Sequence, residues 1–206
     1  MDHKEIVKAG YNQIADRYLA GRTRNSEDVR LLDDLIMRLP EGAKVLDAGC
    51  GAGIPISQKL SEKFEVTGVD FSETQIELAR KNVPNVSFLC EDMTKLDFPE
   101  NSFDGISSYY AIIHVPREEH RSLLANFHRI LKPGGFALLC LGAEQSTDDG
   151  EDDFFGIRMY WSHFNAETYL KMLKDSSFTI IWSKLVADAT CEGAGHLFVL
   201  AKKGEA

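Results

Sequence analysis

The chain has 206 residues, 44% hydrophobic and 27% charged, with 32 acidic residues against 23 basic ones and a net charge of −9. That length fits one domain with a substantial core. The acidic balance argues against a protein that grips phosphate backbones, because such affinity comes from clustered Lys and Arg. No apolar run approaches the ~20 residues of a membrane helix, and the N-terminus MDHKEIVKAG has no hydrophobic signal region. Cys50, Cys90, Cys140 and Cys191 are scattered without a C-x-x-C pair, which indicates neither a zinc site nor a disulfide framework. The expectation is a reduced, cytoplasmic protein with no metal, membrane or nucleic-acid partner.

Two helices open the chain. Val7, Tyr11, Ile14 and Tyr18 share one face of the first. The second starts at Ser26, a favourable N-cap, carries Glu27 and Asp28 in its first turn, and stops at Pro40-Glu41-Gly42. The arginines between Arg17 and Arg30 read as a solvated helix face. From Lys44 the pattern becomes strand, helix, strand: KVLDAG, IPISQKLSEKF, EVTGVD. Ser72-Glu73-Thr74-Gln75 is a capping box opening the next helix. VSFLCED and SFDGISSYY are the third and fourth strands, and a helix over about 116–131 follows with Pro116 in its first turn. Lys132-Pro133-Gly134-Gly135 reads as a type II turn, and FALLCLGA as a fifth strand. Residues 144–153, EQSTDDGEDD, read as an acidic loop. AETYLKMLKDS is helical, and FTIIWSKLVADA and HLFVLAKK form a hairpin joined through TCEGAG.

Alternating strands and helices imply an α/β fold: a Rossmann-like, doubly wound, seven-stranded sheet, mostly parallel, with an antiparallel C-terminal hairpin strand and helices on both faces. One domain spans 1–206, divided into an N-terminal helical cap (1–40), a cofactor-binding core (43–143), a substrate-side insertion (144–165) and a C-terminal helix and hairpin (166–206).

In such sheets ligands sit beyond the carboxyl ends of the strands. The turn after the first strand, VLDAGCGAG, has Gly49, Gly51 and Gly53 but lacks the last glycine of the dinucleotide pattern G-x-G-x-x-G, because Ile54 stands there. No P-loop lysine follows either. Asp70 ends the second strand about 20 residues after the first glycine, where a carboxylate accepts from ribose hydroxyls. Glu91-Asp92-Met93 ends the third strand, where an acid can accept from an adenine amino group.

These stretches, VLDAGCGAG, VDFSETQIELAR, CEDMTKLDFPENSFDGISSYYAIIHV and LKPGG, follow in the order of the class I S-adenosylmethionine-dependent methyltransferases, and over about residues 44–140 the chain resembles the small-molecule methyltransferase domains of that class. The N-terminal YNQIADRYLAGR is similar to the leading helix that covers the cofactor in many members. The resemblance implies S-adenosyl-L-methionine as cofactor and S-adenosyl-L-homocysteine as product. It implies that Gly49 and Gly51 admit the methionine part, and that Asp47 holds the loop and the cofactor's amino group. Asp70 would bind the ribose, Phe71 would lie against the adenine, and Asp92 with the Met93 backbone would read its edge. Tyr109 would lie beside the sulfonium and Tyr18, or Tyr11, would close the pocket. Cys50 and Gln75 complete the implied cofactor set.

The implied reaction is methyl transfer to a small molecule by in-line SN2 displacement. Candidate general bases are His114 and His163, the first read more readily as a structural hydrogen bond at a helix approach. Tyr110, Tyr160, Trp161 and His163 are the candidate acceptor-binding residues, the last three on an aromatic stretch after the fifth strand. Ser108-Tyr109-Tyr110-Ala111 lacks the prolines of the N-P-P-Y motif of amino-methylating enzymes, and no Pro-Cys pair of cytosine-C5 enzymes occurs. The alternatives are a catalytically silent S-adenosylmethionine-binding partner and an aminopropyltransferase-like enzyme on the same fold.

Overall fold

A computed structural model describes residues 2–187 and 195–205. The expected connection around Cys191 lies outside them. Seven strands form the main sheet in the order β3-β2-β1-β4-β5-β9-β8: β1 (Lys44–Ala48), β2 (Glu65–Asp70), β3 (Ser87–Cys90), β4 (Phe103–Ser108), β5 (Leu131–Gly142), β8 (Phe178–Ala187) and β9 (Gly195–Lys203). The first five pair in parallel, and β9 runs antiparallel to both β5 and β8. This is the Rossmann-like architecture read from the sequence.

The period-2 alternation of apolar side chains feeds two cores, one on each face. Val45, Leu138, Cys140, Phe198 and Leu200 join one core with Leu32 and Leu35 of α2 (Glu27–Arg38), Leu60 of α3 (Ile56–Leu60) and Ile76 of α4 (Glu73–Asn82). Leu46, Leu139, Leu141, Leu197 and Val199 join the other with Phe127 of α5 (His120–Ile130) and Tyr169 of α6 (Ala166–Asp175). β1 lies inside the sheet between β2 and β4, and strand order reverses beside it, so its carboxyl end opens a crevice at the switch point.

Several local expectations are corrected. The acidic stretch read as a loop contains β6 (Ser146–Phe154), which pairs antiparallel with β7 (Ile157–His163) in a separate two-stranded ribbon. Its composition is poor for strands, but β7 supplies a pairing edge. The ribbon's Phe154, Met159 and Tyr160 pack against Val7 and Ile14 of α1 (His3–Gly21) in a third apolar cluster. The helix expected over about 116–131 begins at His120 after a 3-10 turn at Arg117–Glu119, and the third helix covers only Ile56–Leu60. Ser26 makes no side-chain cap; its hydroxyl donates to the Thr23 carbonyl. The capping box is half formed: Ser72 Oγ accepts from the Gln75 N–H, but the Ser72 N–H donates to Asp70. The turn at Lys132–Gly135 lies inside β5 as an irregularity, with Gly134 at φ +78° as a type II turn requires.

No helix among the described residues is long and apolar enough to cross a membrane.

Candidate cofactor and acceptor site

The loops after β1, β2, β3 and β4 converge beneath α1 on a single cavity. Gly49 and Gly51 line it from the first loop, Asp70 and Phe71 from the second, Asp92 and Met93 from the third, and Tyr109, Tyr110 and His114 from the fourth. Lys4, Val7, Tyr11 and Tyr18 of α1 form the roof. A second lobe shares Tyr18, Gly49, Gly51, Gln75, Tyr109 and Tyr110 with the first and adds Arg22, Asp47, Cys50 and Ala52.

The glycines at the end of β1 answer two different demands. Gly49 has φ +79°, and a Cβ there would lie 2.1 Å from the Ala111 Cβ. Gly49 is therefore required by the close approach of the β4 loop. Gly51 has φ +53°, yet a Cβ there would meet nothing nearer than Gln75 Oε1 at 3.8 Å. Its bareness leaves space between the two lobes and presents main chain to whatever fills it.

Asp47 is buried, and its carboxylate accepts from the hydroxyls of Ser57 and Ser107. Burial pushes its carboxyl up to about 6 despite those donors. Asp70 accepts from the Gly51 N–H at 3.0 Å and the Ser72 N–H at 2.9 Å, and burial likewise raises it to about 6. Both Asp70 oxygens accept from main chain, and the residue lines the cavity. Asp92 sits differently. Burial raises its carboxyl, but Thr94 and Lys4 outweigh that and hold it below the usual range. Lys4 Nζ lies 3.0 Å from Asp92 Oδ2, 2.8 Å from Thr94 Oγ1 and 2.7 Å from Glu119 Oε2, which ties the first turn of α1 down over the third strand end.

At the other end of the roof, the Tyr11 hydroxyl lies 2.9 Å from His114 Nε2, and His114 Nδ1 lies 2.7 Å from the Tyr160 carbonyl oxygen. Burial pushes the imidazole down to about 4 against that carbonyl. Trp161 lies behind His114, with ring centroids 5.5 Å apart.

Thirteen sequence-derived candidates thus line one two-lobed cavity: Tyr18, Asp47, Gly49, Cys50, Gly51, Asp70, Phe71, Gln75, Asp92, Met93, Tyr109, Tyr110 and His114. Three lie elsewhere. The Tyr160 ring stacks on His3 at 3.9 Å and faces an outer groove. Trp161 packs against His114 and Phe154. His163 reaches the Glu144 carbonyl through Nδ1 at 2.7 Å, and neither lobe includes it or Trp161. Sequence reasoning passed over Lys4 and Arg22. Arg22 was read as solvated, but its side chain is 10% exposed and paired with Asp28 at 3.1 Å. The spacings of seven, seven and four between Lys4, Tyr11, Tyr18 and Arg22, which keep one helix face along α1 and past its end, were the available signal.

A family model described as "Methyltransferase domain" matches residues 45–135. Over those residues, less than half of its length, the chain is similar to a methyltransferase domain. It is 35% identical over 117 residues to a demethylmenaquinone methyltransferase of Staphylococcus epidermidis, a match covering 54% of this chain and 47% of that relative. The chain therefore spans about half the length of that curated relative. Among solved structures, 1,6-didemethyltoxoflavin-N1-methyltransferase of Burkholderia thailandensis, with its substrate and S-adenosylhomocysteine bound, superposes with TM-score 0.76 at 21% identity, over 99% of this chain and 90% of that one. The cyclase SpnF superposes with TM-score 0.73 at 20% identity, over 97% of this chain and 95% of that one. At these identities the superpositions show the fold alone, and one fold carries both chemistries.

The cofactor of this domain class is S-adenosylmethionine, and the residues present fit it. Gln75 is 2% exposed, and its Oε1 is buried without a hydrogen-bond partner between the two lobes. A buried acceptor left unpaired costs about 1–3 kcal/mol, so a cationic ligand donating to it offsets that cost. Asp70 lines the cavity at the second strand end, where a carboxylate suits a ribose diol, and the Gly51 main chain leaves room for an amino-acid tail.

Proposed function

We propose that this protein transfers a methyl group from S-adenosylmethionine to a neutral, planar small molecule that enters beside Tyr11 and His114. One observation carries the acceptor assignment: the charged side chains of the first lobe, Lys4, Asp70, Glu91 and Asp92, belong to the second and third strand ends and their roof, while Tyr11, Tyr18 and His114 form an uncharged aromatic cluster. A quinone or hydroquinone ring, the class named in the activity of the Staphylococcus relative, has that chemistry.

Bound S-adenosylmethionine supplies a methyl group made electrophilic by its sulfonium. Asp70 and Asp92 orient from the strand ends, and α1, held by Lys4, excludes water. A carbonyl can only accept, so the hydrogen of the neutral His114 ring resides on Nδ1, facing Tyr160, and Nε2 is bare toward Tyr11. The Tyr11 hydroxyl donates to Nε2 and can accept a proton from an acceptor O–H, passing its own to His114. His163, outside both lobes, is not assigned this role.

Labelled S-adenosylmethionine incubated with the protein and a panel of hydroquinones, phenols and metabolite extracts, read by mass spectrometry, tests the proposal. Methyl incorporation into a neutral ring compound is expected. Cofactor binding without transfer to any member of the panel would contradict it.

A further inference from the structure

Tyr160 lies outside both lobes, yet its main chain reaches His114. Its ring is 3% exposed and stacks on His3, the first residue of α1, with centroids 3.9 Å apart and planes 12° from parallel. The next residue, Lys4, points the other way, to Asp92 and Glu119. The first turn of α1 is therefore fixed between the third strand end and the β6–β7 ribbon. About two turns further along the same helix, the Tyr11 hydroxyl takes His114 Nε2. α1 thus controls the imidazole at both nitrogens: directly at Nε2 through Tyr11, and at Nδ1 through the stack that seats the Tyr160 carbonyl. β7 is tied to the same segment once more, two residues along, where Ser162 Oγ accepts from the Arg117 N–H at 3.1 Å. Between the two ties Trp161 packs on the His114 ring.

The last torsion of a histidine is broad, so the ring's orientation is set by the partners on its two nitrogens. A carbonyl is an obligate acceptor; it selects the Nδ1–H tautomer and leaves Nε2 able to accept. Moving that carbonyl away releases the choice. The hydrogen can then reside on Nε2, where Tyr11 would face a donor and lose the group that takes its proton. Because the carbonyl is main chain, its place depends on what holds β7, and the Tyr160 side chain is held by His3 and by the apolar cluster with Val7 and Met159. We infer that His3 and Tyr160 are positioning residues for methyl transfer: their stack keeps the Tyr160 carbonyl on His114 Nδ1 and so keeps Nε2 a proton acceptor for Tyr11. Neither residue lines either lobe, so both act through His114. The inference rests on the Tyr11–His114 relay proposed above.

Nitrogen NMR of the full chain with S-adenosylhomocysteine, and steady-state kinetics with hydroquinone as acceptor, test this. In His3→Ala the His114 ring should show a mixture of tautomers where wild type shows Nδ1–H alone. Tyr160→Leu, which keeps the carbonyl and removes the stacked ring, should give the same mixture. His3→Ala should lower kcat about 10-fold, short of the ~10²-fold that a 1 Å misplacement can cost. Its S-adenosylhomocysteine affinity should stay within about twofold, the level expected of a distant site. His3→Phe, which keeps a flat ring on Tyr160, should restore both kcat and the single tautomer. In a Tyr11→Phe background His3→Ala should cost less than about twofold more, because its effect runs through a relay already removed. The NMR measurement needs no acceptor and decides by itself: a His114 still wholly Nδ1–H in His3→Ala overturns the inference. So does a kcat loss that His3→Phe fails to rescue or that persists in full without the Tyr11 hydroxyl. A shared loss of kcat and S-adenosylhomocysteine affinity assigns His3 to the roof of the cavity and overturns it too. A Tyr11→Phe variant with undiminished kcat would instead overturn the relay on which the inference rests.

Discussion

The Nδ1 atom of His114 lies 2.7 Å from the carbonyl oxygen of Tyr160. That contact joins the β6–β7 ribbon to the fourth strand end and leaves Nε2 to Tyr11. The tautomer follows from the partner, and burial keeps the ring neutral to about pH 4. Nitrogen NMR of labelled protein should report a protonated Nδ1 and a bare Nε2 at neutral pH. The opposite tautomer would contradict the Tyr11 relay.

Tyr11→Phe removes the hydroxyl that bridges the cavity to His114 and keeps the ring contacts with Tyr18 and Phe154. The variant should bind S-adenosylhomocysteine within about twofold of wild type and lose about 10²-fold in kcat with a hydroxyl acceptor, the usual size of a general-base effect. Steady-state kinetics beside calorimetry separates the two quantities. A proportional loss of both would assign Tyr11 to the cofactor instead.

Gly49→Ala and Gly51→Ala should part company. At Gly49 a methyl overlaps Ala111 and the backbone is left-handed, so a loss of about 2–4 kcal/mol in denaturant unfolding is expected. At Gly51 only the left-handed backbone resists, about 1 kcal/mol, but the methyl projects between the lobes and should weaken S-adenosylhomocysteine binding. Similar unfolding midpoints for both variants would contradict the different roles assigned to the two glycines.

Asp70 gives a pH signature whose sign is fixed by burial. Its folded pKa of about 6 lies above the ordinary 3.8, so between pH 4 and 6 the folded state holds a proton that the unfolded state has released. Its contribution to stability is full below about pH 4 and is lost as pH rises through 6. His114 and His120, both lowered to about 4, act in the other direction: their contribution is present above pH 6.5 and lost as pH falls through 4. In the ligand-free protein Asp70→Asn should therefore make stability rise with pH between 4 and 6 relative to wild type, by up to about 1 kcal/mol per pH unit. Urea melts across that window check it. A variant curve parallel to wild type would contradict the half-buried, proton-holding carboxyl.

The parallel sheet was legible because alternation of strand and helix leaves few topologies, and because Val45, Leu46 and their counterparts on β5 and β9 separate cleanly onto two faces. The strand-end candidates were legible because each is fixed within a few residues of its own strand. What escaped depends on partners distant in sequence. Arg22 becomes buried only through Asp28 and Tyr110, and Lys4 only through Asp92 and Glu119. The acidic β6 forms because β7 and α1 offer it an edge and a cluster, which composition cannot reveal. Trp161 and His163 looked like acceptor contacts from aromatic density, but on β7 they face His114 from behind and the Glu144 carbonyl.

A crystal structure with S-adenosylhomocysteine tests the central claim most directly. The account predicts the ribose hydroxyls on Asp70, the adenine beside Phe71 and Asp92, and the amino-acid tail past Gly51 toward Arg22. Ligand density outside the cavity between β1, β2 and β4, or an adenosine that does not touch Asp70, would contradict it.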